Sequence, residues 1–234
     1  MHPLAISSIG TELLDDPAAD PAVVTQSLGN IARANRWFGG ANAVRHGLAR
    51  VLVGVPRTRP LVLLDLGTGT GDLPRDAVRW AGRRGWRLVP VGLERSRVAA
   101  GLARAAGCPC AVADAGAAPF GAKSVDVVLL SQVLHHLTAA SAVRLLRDCD
   151  RLARIGVVVA DLRRARLAAP LFRLGGRLLG FDPVTMEDGV TSIRRGYTSA
   201  ELLALLRQAG VAGRVERRPG YRLVATWRVP RERG

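Results

Sequence analysis

Val62-Leu63-Leu64-Asp65-Leu66-Gly67-Thr68-Gly69-Thr70-Gly71-Asp72 is an apolar run that stops in a tight, alternating glycine turn. A continuous apolar segment of this kind reads as a buried strand of a parallel sheet. The glycines let the backbone turn sharply and approach a ligand closely, because no Cβ obstructs it. A helix starting near Asp72 brings unpaired N–H groups and the positive end of its dipole to the same point. Together these describe a nucleotide-type cofactor site at the first strand–helix crossover of a doubly wound sheet. Taken alone, the glycines also fit a tight structural turn.

The spacing narrows the cofactor. Dinucleotide sites use G-x-G-x-x-G, in which the third glycine packs helix on strand beneath a pyrophosphate. Here the pattern is G-x-G-x-G, with Asp65 two residues before the first glycine. That arrangement resembles motif I of the class I S-adenosylmethionine-dependent methyltransferases, whose loop curls under the methionine and ribose portion of a cofactor that has no phosphate. Three further segments match in the family's order. Leu88-Val89-Pro90-Val91-Gly92-Leu93-Glu94 is a second apolar strand ending in an acid, and a carboxylate there can accept two hydrogen bonds from vicinal ribose hydroxyls. Cys110 to Ala115 contains Asp114, which the family places near the adenine amino group. Ser124 to Ser131 resembles the strand that runs into the family's active site.

The resemblance covers most of the chain and is strongest from 61 to 161. It is closest to the type 11, quinone-biosynthesis-like branch of bacterial small-molecule enzymes. It implies an α/β, Rossmann-like methyltransferase fold: a mostly parallel seven-stranded sheet with an antiparallel last strand. It also implies S-adenosylmethionine as cofactor, held by Asp65, Gly67, Thr68, Gly69, Gly71, Glu94, Arg95, Asp114, Ala115 and Ser131.

A chain of 234 residues can bury a full core in one α/β unit. It contains no apolar run long enough to span a bilayer and no basic-then-apolar N-terminus, so a cytoplasmic protein is expected. Cys108, Cys110 and Cys149 are odd in number and badly spaced for zinc, so no metal is expected and small buried residues are the better reading. The net charge of +15 is carried almost entirely by arginine, with Lys123 the sole lysine. A basic field can steer nucleic acid, an acidic carrier protein or an anionic small molecule without saying which.

Along the chain, residues 1–59 read as a loosely ordered tail followed by a helical cover, with helices near 21–36 and 41–53. Residues 60–234 read as the methyltransferase domain. Its helices fall near 72–84, 96–106, 139–153 and 199–209; the last opens on a capping box, Thr198-Ser199-Ala200-Glu201, and stops at Gly210. Strands at 88–93, 110–113, 125–130 and 155–160 alternate with them, and 211–217 with 221–229 form a terminal hairpin. Residues 163–197 exceed what the sheet requires. An insertion after the fifth strand lies above the ligand-binding ends of the strands, so it reads as a substrate lid of one or two short helices or as a homodimer contact.

Methyl transfer from a sulfonium needs a well-placed acceptor, and an oxygen acceptor benefits from a base. Ser131-Gln132-Val133-Leu134-His135-His136-Leu137 follows the fourth strand, so His136, or else His135, is the candidate base. Trp37 and Phe38 of the cover, with Arg194, Arg195 and Tyr197 of the insertion, are the candidate acceptor contacts; Arg195 or Arg194 could instead pair with Glu187 or Asp188. The expected function is methylation of a small molecule, such as O-methylation of a phenolic, quinone-like or polyketide-derived acceptor. An RNA or protein methyltransferase and a non-catalytic cofactor-binding partner subunit are the alternatives. Nucleic acid is disfavoured because the fourth strand lacks the N/D-P-P-Y/F pattern of base-amino methylation.

Overall fold

The computed structural model describes residues 18–230 together with Glu12 and Asp16. The tail's remaining residues, and the last four of the chain, lie outside the described residues. The expected apolar runs form a seven-stranded sheet: β1 Leu61–Leu66, β2 Leu88–Glu94, β3 Cys110–Val112, β4 Val125–Ser131, β5 Ala153–Leu162, β6 Arg214–Arg218 and β7 Arg222–Arg228. The spatial order is β3-β2-β1-β4-β5-β7-β6. β7 runs antiparallel to both β5 and β6, and the other pairings are parallel. β1 and β4 are neighbours although two strands separate them in sequence, so the strand order reverses between them. A crevice opens at such a switch point, beyond the carboxyl ends of the strands.

Two helical layers cover the sheet, and the period-two alternation of strand side chains sorts the core between them. Val128 and Leu130 of β4, with Leu64 and Leu66 of β1, face α5 (Ala139–Leu152) and α8 (Ser199–Ala209). Val127 and Leu129, with Leu61 and Leu63, face α2 (Gly40–Val51) and α3 (Asp72–Gly82). α8 carries the expected capping box and ends on left-handed Gly210. β5 is longer than its apolar run because it is paired on both edges, with β4 and with β7.

One boundary is corrected. Residues 1–59 read as tail and cover, yet α2 belongs to the core. Ala43, Val44, Leu48 and Val51 are buried against Val158 and Val224 of the sheet. Gly47 makes that approach close: a Cβ there would stand 2.3 Å from Val158 Cγ1 and 3.2 Å from Val224 Cγ1. Only α1 (Pro21–Trp37) acts as a cover, packing through Val24 and Leu28 on Ala99 of α4 (Arg97–Ala105). The 163–197 insertion forms two helices, α6 (Ala168–Leu178) and α7 (Pro183–Arg195). An isolated bridge between Arg163 and Tyr197 closes its two ends. No helix among the described residues is long and apolar enough to cross a membrane.

Because the sheet and α2 touch through a missing side chain, Gly47→Ala should be overpacked and lose roughly 1–3 kcal/mol of stability. Urea unfolding should show a lower midpoint at unchanged slope. An unchanged midpoint would mean that α2 is free to move off the sheet.

Candidate active site

The glycine turn at the end of β1 is left-handed at three positions, with φ of +74° at Gly67, +55° at Gly69 and +71° at Gly71. Their surroundings differ. A Cβ on Gly67 would lie 2.5 Å from Val133 Cγ2, and one on Gly71 would lie 2.8 Å from Cys108 Cβ, whereas nothing stands within 4 Å of one on Gly69. Gly67 and Gly71 are therefore clamped into the fold, and Gly69 presents bare backbone to open space. Glu94 ties the turn to β2: its Oε2 accepts from Gly69 N at 3.0 Å and its Oε1 from Ser96 N at 2.9 Å.

Asp65 lies beneath this turn and is 2% exposed. Its Oδ2 accepts from Thr68 Oγ1 at 2.8 Å, while Oδ1 has no partner among the described residues. Burial, helped by the nearby Asp72 and Glu94 carboxylates and opposed by the Thr68 bond, pushes this carboxyl up to about 8. A buried acid with one idle oxygen on a cavity wall is a demand for a cation or a donor.

The mouth is built across elements. Gln132, just past β4, has φ +56°, and this turn sends its Nε2 to Asn35 Oδ1 of α1 at 2.6 Å. Asn35 Nδ2 donates in turn to Asp72 Oδ2 at the start of α3. Leu134 to His136 form a 3-10 turn, whose two rings lie 4.2 Å apart. The His135 ring is buried, with Nδ1 2.6 Å from Asp161 Oδ1 of β5. Burial raises the Asp161 carboxyl, but the neighbouring His135 ring and the Leu162 N–H outweigh it and hold the group below the ordinary carboxylate range. Asp161 therefore stays ionised, and its carboxylate fixes the orientation of the His135 ring through Nδ1.

These parts line one cavity of about 1310 Å³, larger than the roughly 300–1,000 Å³ typical of a single small-ligand site. Of the expected cofactor residues, Asp65, Gly67, Thr68, Gly69, Glu94, Arg95, Asp114, Ala115 and Ser131 line it. Gly71 does not; it caps α3 behind the wall. Apolar side chains line it as well, among them Leu28, Ile31, Phe38, Phe172, Phe181 and Ile193, together with His135 and His136. Phe38 brings the cover onto the insertion, at 5.8 Å from Phe172 and 6.2 Å from Phe181 between ring centres. Trp37 stands at the rim, 63% exposed.

Three expected acceptor contacts are corrected, since Arg194, Arg195 and Tyr197 are absent from the cavity wall. Arg194 is exposed on α7. Arg195 turns inward, and its Nη1 donates to Glu12 Oε1 at 3.0 Å. The Tyr197 hydroxyl donates to Leu134 O at 2.8 Å and so braces the histidine turn. Glu12, in the segment read as loosely ordered, is 5% exposed and also accepts from Ser192 Oγ at 2.7 Å. Its carboxylate, His135 and His136 offer ligand atoms within 4.8 Å of one another, a grouping that the expectation of no metal did not contain. Glu12 and Asp161 were missed for want of a local motif; each reaches the site only through tertiary packing.

Residues 64–160 match the family described as "Methyltransferase domain". A demethylmenaquinone methyltransferase from Roseiflexus castenholzii is 32% identical over 161 residues, covering 63% of this chain and 66% of the relative, just under two thirds of its length. Two solved structures share the fold. A SAM-dependent methyltransferase from Aquifex aeolicus superposes with a TM-score of 0.58 at 15% identity, over 90% of this chain and 99% of that one. An O-methyltransferase from neocarzinostatin biosynthesis, solved with S-adenosylhomocysteine and 1,4-dihydroxy-2-naphthoic acid, has a TM-score of 0.63 at 19% identity, over 94% and 62%. Residues 64–160 carry the methyltransferase domain of S-adenosylmethionine-dependent enzymes. The family's cofactor fits this site: the bare backbone at Gly69 leaves room for it, and the idle Asp65 oxygen suits the ammonium of its methionine portion.

A carboxyl raised above its unfolded value binds its proton more tightly in the folded chain. Its contribution to stability is fully present below about pH 4 and is lost as pH rises through about 8. Asp65→Asn should therefore flatten the fall in urea midpoint across this range. Parallel wild-type and variant curves would mean that Asp65 is ionised throughout.

Proposed function

We propose that this chain transfers a methyl group from S-adenosylmethionine to a hydroxyl of an apolar aromatic small molecule, phenolic or quinone-related. The observation that carries this reading is the His135–Asp161 pair, with His135 on the wall of the cavity that the glycine turn and the phenylalanines also line. The bound cofactor supplies a methyl group activated on a sulfonium. In the proposed reading, Asp65 receives the ammonium, Glu94 offers its remaining lone pairs to the ribose hydroxyls, and Asp114 meets the adenine amino group. Phe38 at the end of α1, Phe172 of α6 and Phe181 ahead of α7 hold a flat acceptor and keep water out, as apolar walls with few polar groups do in small-molecule sites. His135 Nε2 takes the hydroxyl proton, and the ionised Asp161 carboxylate stabilises the imidazolium that results. His136, favoured on sequence, is the second candidate; its Nε2 stands 3.9 Å from Glu12 Oε2. α6 and α7 act as the lid that selects the acceptor. The name of the curated relative, a demethylmenaquinone methyltransferase, supports a quinone-type acceptor.

Transfer of a labelled methyl group to a panel of phenols and hydroquinones tests the reading. His135→Gln should slow turnover about a hundredfold or more, leaving S-adenosylhomocysteine affinity unchanged. Loss below tenfold would remove His135 as the base. Efficient labelling of RNA in place of every small molecule would overturn the acceptor class.

A further inference from the structure

Six of the nine large apolar side chains exposed among the described residues sit around the lid: Trp37, Leu167, Leu171, Leu174, Leu178 and Val184. The four leucines follow one another at steps of four, three and four residues, which places them in a single row along three turns of helix. They are 62%, 49%, 56% and 81% exposed. The face of α6 that meets the protein is a different one, built from Ala168, Phe172 and Gly176. A second row, Arg166, Arg173 and Arg177, runs beside the leucines at steps of seven and four. None of these three guanidinium groups has an ion pair or hydrogen bond among the described residues. From Arg163 to Gly180 there are five arginines and no acidic residue.

We propose that α6 rests on an anionic lipid surface. Its leucine row enters the boundary between headgroups and acyl chains, and its arginine row sits on the lipid phosphates. A basic amphipathic helix lying in the plane of a membrane has this composition. A second copy of the chain fits less well: a two-fold interface would set each arginine row near its own mate, and α6 has no acid to offset it. The apolar face also continues into the cavity, because Leu171 and Trp37 both line the cavity and lie open at its rim. An apolar molecule dissolved in the lipid could then enter the chamber without crossing water. Surface binding needs no turnover and stands whether or not methyl transfer is as proposed.

Flotation of the whole chain with phosphatidylcholine vesicles, with and without about 30% phosphatidylglycerol, tests it. The chain should float with the anionic vesicles and far less with the neutral ones. Leu174→Glu with Leu178→Glu, neither of which lines the cavity, should lower the bound fraction at least about tenfold. Its helical content and S-adenosylhomocysteine affinity should match those of the wild type, which excludes misfolding as the cause. Arg173→Gln with Arg177→Gln should weaken binding by roughly tenfold on anionic vesicles alone. The proposal is overturned by absence of flotation, by equal flotation of the leucine variant, or by a wild-type dimer that the leucine variant splits.

Discussion

The molecule is organised around a carboxyl that the fold buries without fully satisfying. β1 is covered on both faces, so Asp65 near its end lies out of water, with Thr68 bonded to one oxygen and the other buried without a partner among the described residues. Burying such a group costs free energy unless a donor or cation meets it. The left-handed glycine turn is the geometric counterpart of that demand. It brings the chain back over Asp65, lets Glu94 hold Gly69 from β2, and starts α3 at Asp72 without placing a side chain in the space. In the proposed reading the cofactor answers the demand, so that its binding stabilises the folded chain.

The acceptor side follows from where the strand order reverses. β4 and β5 run parallel and adjacent, so the turn after β4 and the end of β5 meet. That is why His135 finds Asp161 although 26 residues separate them. Above this pair the lid is a hairpin of helices pressed together where side chains are missing. A Cβ on Gly189 would stand 2.3 Å from Phe172, and one on Gly176 would stand 2.3 Å from Met186. Phe38 enters the same packing from α1, and Asn35 links α1 to Gln132 and Asp72. Cover, insertion and glycine turn are thus joined by direct contacts.

What could be read in the chain and what could not divides along the range of the interactions. The strand–turn–helix at 61–72, the capping box at Thr198 and the acids at strand ends are local patterns, and their elements stand where the patterns put them. α2 reads as cover because it belongs to the helical segment ahead of β1; Gly47 lets that helix approach the sheet, which only the packed structure reveals. Arg195 and Tyr197 are polar residues near the lid, but polarity does not give direction. One faces Glu12 and the other Leu134, so neither wall of the cavity contains them. Glu12 and Asp161 carry no motif at all, and each becomes meaningful only beside a partner from a distant segment.

Calorimetric titration with S-adenosylhomocysteine in two buffers of different ionisation enthalpy tests the Asp65 account most directly. A carboxyl pushed up to about 8 is mostly protonated at about pH 7, and receiving an ammonium requires it to ionise. Binding should therefore release close to one proton to the buffer, and this release should vanish in Asp65→Asn. Heats that are identical in both buffers for the wild-type chain, or no binding at all, would contradict it.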